Sequence, residues 1–382
     1  MIEYIPGLEK IPASESSISF INGEVGILEY RGIPIQELAA NCTFDEVAFL
    51  LLEGHLPTQS ELDGFTERAR ASRKLTPYMM DLIRCLPKDA HPMAKLQTCV
   101  SAMGMWMGPH GVFNDETRMQ WAIQFIGKFP SVIAAIERTK HGLEILEPDV
   151  SLGRSTDFLR MLTGEAPDRL SADILNQSLI LHADHTMNAS TFATRVVAST
   201  ESEPGAAISA AVGSLAGPLH GGANERVITM LAEIGTVDNV RPFFEKKMAN
   251  HEKIMGLGHR VYKTKDPRAT ILQKLSRELF DARGAASPLY EIAVELEDVA
   301  TKELGHKGIY PNVDFYSGIL YNNLGIPTDL FTPIFALSRV SGWMAHWLEQ
   351  MRNNRIFRPT QVYTGVHGVP FVPIVDRESV KA

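Results

Sequence analysis

From Thr43 almost to its C-terminus, the chain spaces its apolar residues at helical intervals. That period specifies a large all-α protein. Thr43-Phe44-Asp45-Glu46 forms a capping box ahead of VAFLLLEG, and Gly54 supplies a stop. The same start signal returns in LPTQSELDGFTERA. Helical spacing continues through HPMAKLQTCVSAMGMWMG, TRMQWAIQFIGKF, SVIAAIERTKHGL and ADILNQSLILHADH, and on to FALSRVSGWMAHWLEQM. Proline and glycine punctuate these segments at Pro130, Gly217-Pro218, Pro242, Pro267, Pro311 and Pro327, so a helix is expected on either side of Pro130. AAISAAVGSLAG is rich in small side chains, which let helices approach closely in a core or at a subunit interface. Only SISFINGEVGILEYRG departs from this pattern; Asn22-Gly23 between β-prone runs predicts a small N-terminal β-hairpin.

Composition narrows the functional classes. With 382 residues, 45% of them hydrophobic, the chain has ample material for a core, and its length suggests two domains of roughly 150 residues or more. A net charge of -8 argues against a general nucleic-acid binder, because affinity for phosphate backbones comes from clustered Lys and Arg. Cys42, Cys85 and Cys99 follow no CxxC spacing and imply neither a disulfide framework nor a cysteine zinc site. MIEYIPGLEKIPASES lacks the basic and apolar stretches of a secretory signal. No apolar run approaches the roughly 20 residues that span a bilayer. A cytoplasmic protein without membrane partners is expected.

Four segments set polar residues among glycines or apolar side chains: LILHADHTMNAST, GPLHGGANE (217–225), GLGHRVYKTKDPR (256–268) and YPNVDFYSG (310–318). Arg339 and Arg358 join them. Taken singly, each has an ordinary structural explanation. His182 and His185 suit a hydrogen-bonded helix end as well as a metal site, and with Asp184 they are the only basis for a metal-dependent hydrolase. His220 suits a helix cap, Asp314 an N-cap and Arg339 a structural ion pair. GLGH is no dinucleotide loop, since Val261 occupies the third glycine position. Taken together, histidines on glycine loops, one aspartate and several arginines suggest acid–base chemistry on an anionic substrate. Arginine's planar fork grips carboxylates, and histidine exchanges protons near neutral pH.

In this order, GPLHGGANE, GLGHRVYKTKDPR and PNVDFYSG resemble the three signature segments of the citrate synthase family. HADHTMNAST and RPTQVYTG resemble its flanking segments, and the likeness runs from the hairpin to near residue 368. The family joins the methyl carbon of acetyl-CoA to the ketone of oxaloacetate and hydrolyses the thioester, without metal or cofactor. The resemblance implies that His220 steadies the enol oxygen, Asp314 takes the methyl proton and His259 donates to the ketone oxygen. It implies that His185, Arg268, Arg339 and Arg358 hold oxaloacetate, with Arg358 reaching into the neighbouring subunit of a homodimer. Gly256, Leu257 and Gly258 would line the adenine pocket, Lys263 would face CoA phosphate and Phe335 would wall the acetyl group.

The same resemblance implies a large helical domain, residues 1–221 and 326–382, with a smaller helical domain, 222–325, inserted and closing over it. Gly221-Gly222 and Gly325-Ile326-Pro327 are the expected hinges. His220 is expected to face the start of the ANERVITM helix, whose partial positive charge disfavours the imidazolium. Longer relatives carry an N-terminal β-rich domain associated with NADH inhibition; the chain resembles the shorter form. Propionyl-CoA, the donor of the similar 2-methylcitrate synthases, is the alternative to acetyl-CoA.

Overall fold

A computed structural model describes residues 4–106, 114–284 and 287–377. Strands β1 (Ser19–Asn22), β2 (Ile27–Tyr30) and β3 (Ile33–Pro34) form one antiparallel sheet in that order. The expected hairpin is β1–β2, with Ser19 opposite Tyr30 and Asn22 opposite Ile27; β3 extends it by a short third strand.

Everything after the sheet is helix and connection. The first helices are α1 (Ile35–Asn41), α2 (Phe44–Glu53), α3 (Gln59–Ala71), α4 (Pro77–Cys85) and α5 (Pro92–Trp106). Thr43 and Thr58 cap α2 and α3 through reciprocal boxes with Glu46 and Glu61, and Gly54 ends α2 at φ 94°. Then come α6 (Asp115–Lys140), α7 (Arg154–Thr163), α8 (Arg169–His182), α9 (Ala189–Ala198) and α10 (Pro204–Leu215). The chain continues through α11 (Ala223–Ile234), α12 (Val240–Ala249), α13 (Pro267–Arg283), α14 (Pro288–Leu304), α15 (Val313–Asn323) and α16 (Phe331–Arg352).

Pro130 does not separate two helices; α6 runs straight through it. A proline there has no N–H for the carbonyl four residues back, that of Ile126. Arg154 Nη1 donates to this carbonyl at 2.6 Å, so the orphaned acceptor is satisfied from another helix. A distant side chain thus overrides a local helix-breaking signal.

Helix α16 is the axis of the larger group. All but two of its 22 residues are buried, and it packs against α2, α6, α8, α9 and α10. The small residues of α10 serve close packing within this core: a Cβ on Gly205 would lie 2.7 Å from Gly104 Cα of α5. Helices α11 to α15 pack mainly on one another and meet the rest through α1, α8 and α16. After α16, residues 353–377 lie largely on the surface. No helix among the described residues is long and apolar enough to cross a membrane.

Candidate active site

The end of α8 supplies the floor. His182 Nδ1 donates to the Ser178 carbonyl, 2.8 Å away and one turn back, and its ring stands edge-on to Phe335 at 5.0 Å. The chain then turns, with Thr186 at φ 48°. Asp184 is buried and held by Ser19 Oγ and by His346 Nε2 at 3.3 Å. His185 is buried beside them, and its Nε2 finds no hydrogen-bond partner among the described residues. Burial, with Arg268, His259 and Arg339 nearby, holds its pKa well below the usual imidazole range. It is therefore a neutral ring.

His220 lies in the turn between α10 and α11, on the segment that Gly217-Pro218 diverts from the helix. Its imidazole does not address the start of α11. Nε2 lies 3.3 Å from the backbone N of Ser190 and 2.9 Å from its Oγ, at the second residue of α9. The expected helix terminus was the wrong one: the turn folds the ring back onto a helix that precedes it by 30 residues. A backbone N–H only donates, so Nε2 accepts and the ring proton resides on Nδ1. Trp343 Nε1 donates to Ser190 Oγ at 3.1 Å and fixes that partner in turn. Burial, then the charge of Arg339, lowers the pKa of His220 to about 4.

His259 has the opposite polarity. Its Nδ1 accepts from the backbone N–H groups of Val261 at 3.0 Å and Tyr262 at 3.2 Å, leaving the proton on Nε2. Burial first, and then Arg268, lowers its pKa to about 4. Its ring centroid is 5.2 Å from that of His185. Gly256 and Gly258, at φ 76° and 82°, bend the preceding loop in a way other residues resist. That loop is tied to the next signature segment: Gly258 N donates to Tyr310 O at 2.8 Å, Asn312 N to Gly256 O at 2.9 Å, and Leu257 bridges Pro311.

Asn312, not Asp314, is the N-cap of α15; its side chain accepts from Asp314 N at 3.0 Å. This frees the Asp314 carboxyl, whose Oδ1 is buried without a hydrogen-bond partner among the described residues. Burial raises its pKa to about 7, although Arg268 and Arg339 pull the other way. Such a carboxylate is a far stronger base than one in water.

Two buried guanidinium groups complete the cluster. Arg268 Nε and Nη2 pair with Asp266 at 3.0 and 2.7 Å. Arg339 Nε donates to His182 O at 2.7 Å, with its guanidinium 4.6 Å from the Phe335 ring centroid. Lys263 is exposed on the loop after His259. Arg358 stands apart, exposed in the segment after α16.

The structure thus brings together His185, His220, His259, Arg268, Asp314, Arg339 and Phe335, and leaves Arg358 outside. His182, Asp184 and His185 face different neighbours and do not converge. Among the described residues, no group of three or more His, Cys, Asp or Glu is placed to hold a metal ion. Sequence reading missed Ser190, Tyr262 and Asp266. Asp266 had a local signal, two residues before Arg268; Ser190 and Tyr262 had none, since their roles exist only in three dimensions.

Neutral imidazoles, a basic carboxyl and buried arginines on one cleft define an enzyme site for acid–base chemistry on a small anion. The family model "Citrate synthase, C-terminal domain" matches residues 7–360. Citrate synthase from Synechocystis sp. is 49% identical over 97% of this chain and 93% of its own length. That from Acidithiobacillus ferridurans is 46% identical over 98% of both. The Pyrobaculum aerophilum citrate synthase crystal structure superposes with a TM-score of 0.91 at 41% identity, covering 97% of this chain and 95% of that one. The Thermoplasma acidophilum enzyme, in ternary complex with carboxymethyl coenzyme A and oxaloacetate, superposes at 0.93 with 36% identity over 98% and 100%. The chain belongs to the citrate synthase family.

Proposed function

We propose that this enzyme condenses acetyl-CoA with oxaloacetate and hydrolyses the resulting thioester to citrate and CoA. CoA enters as a substrate, and the chemistry needs no metal or cofactor. The observation that carries the reading is the opposed polarity of two neutral imidazoles beside a carboxyl with a pKa of about 7.

A thioester methyl group is a weak acid, so its proton leaves only if the enolate charge is met as it forms. Asp314 takes the proton. His220 donates from Nδ1 to the thioester oxygen, and its Ser190 partners stabilise the neutral ring as a donor. The enol carbon attacks the ketone of oxaloacetate while His259 donates from Nε2 to the ketone oxygen. Burial makes each donor effective, and such groups contribute roughly 10²- to 10³-fold apiece. His185, Arg268 and Arg339 hold the oxaloacetate carboxylates and ketone, with Arg268 positioned by Asp266. Phe335 walls the acetyl group. The loop at Gly256, Leu257 and Gly258 meets adenine through backbone, and Lys263 meets CoA phosphate.

Residues 222–325 act as a smaller domain that closes over residues 1–221 and 326–382 and keeps water from the enol. Gly222 precedes α11 with open space around its Cα, and Gly325 sits at φ 75°, which suits them to hinge roles. The working unit is a homodimer in which Arg358 of each chain completes the other's site. The direct test is free-thiol release with oxaloacetate, using acetyl-CoA and propionyl-CoA side by side. Acetyl-CoA is expected to turn over faster; the difference of one methylene is worth only about 1–3 kcal/mol. No thiol release from either donor would refute the proposal.

A further inference from the structure

The β1–β2 hairpin touches the two histidine-bearing segments at its opposite ends. At its base, the paired residues Ser19 and Tyr30 hold the backbone around His185. Ser19 Oγ donates to Asp184 Oδ2 and accepts from Thr186 N at 3.1 Å. Tyr30 Oη donates to Asp184 O at 2.9 Å and accepts from Asp184 N at 3.1 Å. These contacts grip the residues on either side of His185.

At its tip, the turn after Asn22 seats against the loop that follows His259. Gly23 O accepts from Lys263 N at 2.9 Å. The fit leaves no room for a side chain: a Cβ at Gly23 would overlap the Val261 carbonyl and lie 3.1 Å from Tyr262 N. Those are backbone atoms, so no rotamer change relieves the clash. Val261 N and Tyr262 N are the two donors that orient His259 Nδ1. Tyr262 itself is buried, 4.9 Å from the His259 ring and 5.7 Å from the His185 ring.

We infer that the N-terminal hairpin is a ruler that sets the spacing and orientation of His185 and His259, with Gly23 and Tyr30 as positioning residues for the ketone-activating imidazoles. One end is fixed to the segment of His185 and the other to the segment of His259. The strand pair between them is a short, hydrogen-bonded unit. A catalytic donor must be held within about 0.5 Å of its productive place by its supporting shell, and a 1 Å error costs about 10²-fold. The inference rests on the reading of His185 and His259 as the imidazoles that face oxaloacetate.

Two variants address the two ends: Gly23→Ala at the tip and Tyr30→Phe, nearly isosteric, at the base. Val25→Ala, on the exposed side of the turn, is the control. The readouts are steady-state kinetics and the carbon-13 shift of [2-13C]oxaloacetate bound to the homodimer, which reports polarisation of the ketone. Gly23→Ala is expected to lower kcat about 10- to 100-fold and to move the bound ketone signal towards its free position. Tyr30→Phe is expected to do the same to a smaller degree, and Val25→Ala to match the parent enzyme. Should Gly23→Ala not fold, Tyr30→Phe decides by the same readouts. Parental kcat and ketone shift in the folded variants would overturn the ruler. A parental ketone shift in His259→Ala would instead overturn the role of His259, and the two failures are therefore distinguishable.

Discussion

Helix α16 and the segment that follows it belong to one stretch of chain yet live in opposite surroundings. In α16, apolar side chains, Arg339 and His346 are all buried. In residues 353–377, Val366, Phe371, Ile374 and Val375 are each more than three-quarters exposed, and Arg358 lies on the surface. Burying such apolar side chains is worth about 1.5–3 kcal/mol apiece, so a row of them on a surface marks a face that a partner covers. The comparison teaches that one chain completes the acid–base cluster but not the grip on the substrate's carboxylates.

The largest effect should come from the complete half. Asp314→Ala is expected to lower kcat by about 10³-fold or more, measured by thiol release. Its effect on stability should have the opposite sign. The native state keeps the Asp314 proton up to a pH of about 7, whereas the unfolded chain loses it near the ordinary value of 3.8. The native state therefore binds more protons between these limits, and this group's contribution falls as pH rises through them. Above pH 7 the variant should melt no lower than the parent. In the parent, kcat/KM should fall on acidification below a pH of about 7, because the base must be ionised.

The incomplete half comes next. Arg358→Leu should raise the KM for oxaloacetate about 10- to 100-fold, the worth of one or two charge-assisted hydrogen bonds. Refolding this variant together with Asp314→Ala sharpens the comparison. A hybrid dimer has one site with both groups intact, so a random mixture should recover about a quarter of parental activity. No recovery above the separate variants would show that Arg358 serves its own chain.

Smaller effects test the supports. Ser190→Ala removes one of the two groups that hold His220 Nε2 and should lower kcat about tenfold, the worth of roughly one hydrogen bond. Gly222→Pro should slow turnover more than it lowers the melting temperature, as stopped-flow closure and calorimetry would register. Unchanged turnover would reject Gly222 as a hinge.

Much of this was legible in the sequence because the relevant signals are local. The capping boxes at Thr43 and Thr58, the stop at Gly54 and the hairpin turn follow from short-range chemistry. His220, His259 and Asp314 stood out because glycine or proline surrounds them. What escaped depends on partners far along the chain. Pro130 fails to break α6 because Arg154 takes the freed carbonyl. His220 faces α9 instead of α11 because the turn after α10 folds back on itself. Arg268 looked like a free cation, yet it is paired with Asp266, which leaves Nη1 as its donor outside that pairing.

The central claim is that His220 Nδ1, His259 Nε2 and the Asp314 carboxyl converge on one bond-forming point. A crystal structure of this protein with carboxymethyl coenzyme A and oxaloacetate tests it most directly. The account predicts His259 Nε2 within hydrogen-bonding distance of the ketone oxygen, His220 Nδ1 facing the thioether side of the analogue and Asp314 facing the carboxyl that replaces the thioester. A complex in which these three groups point away from the two ligands, in a fully closed chain, would contradict it.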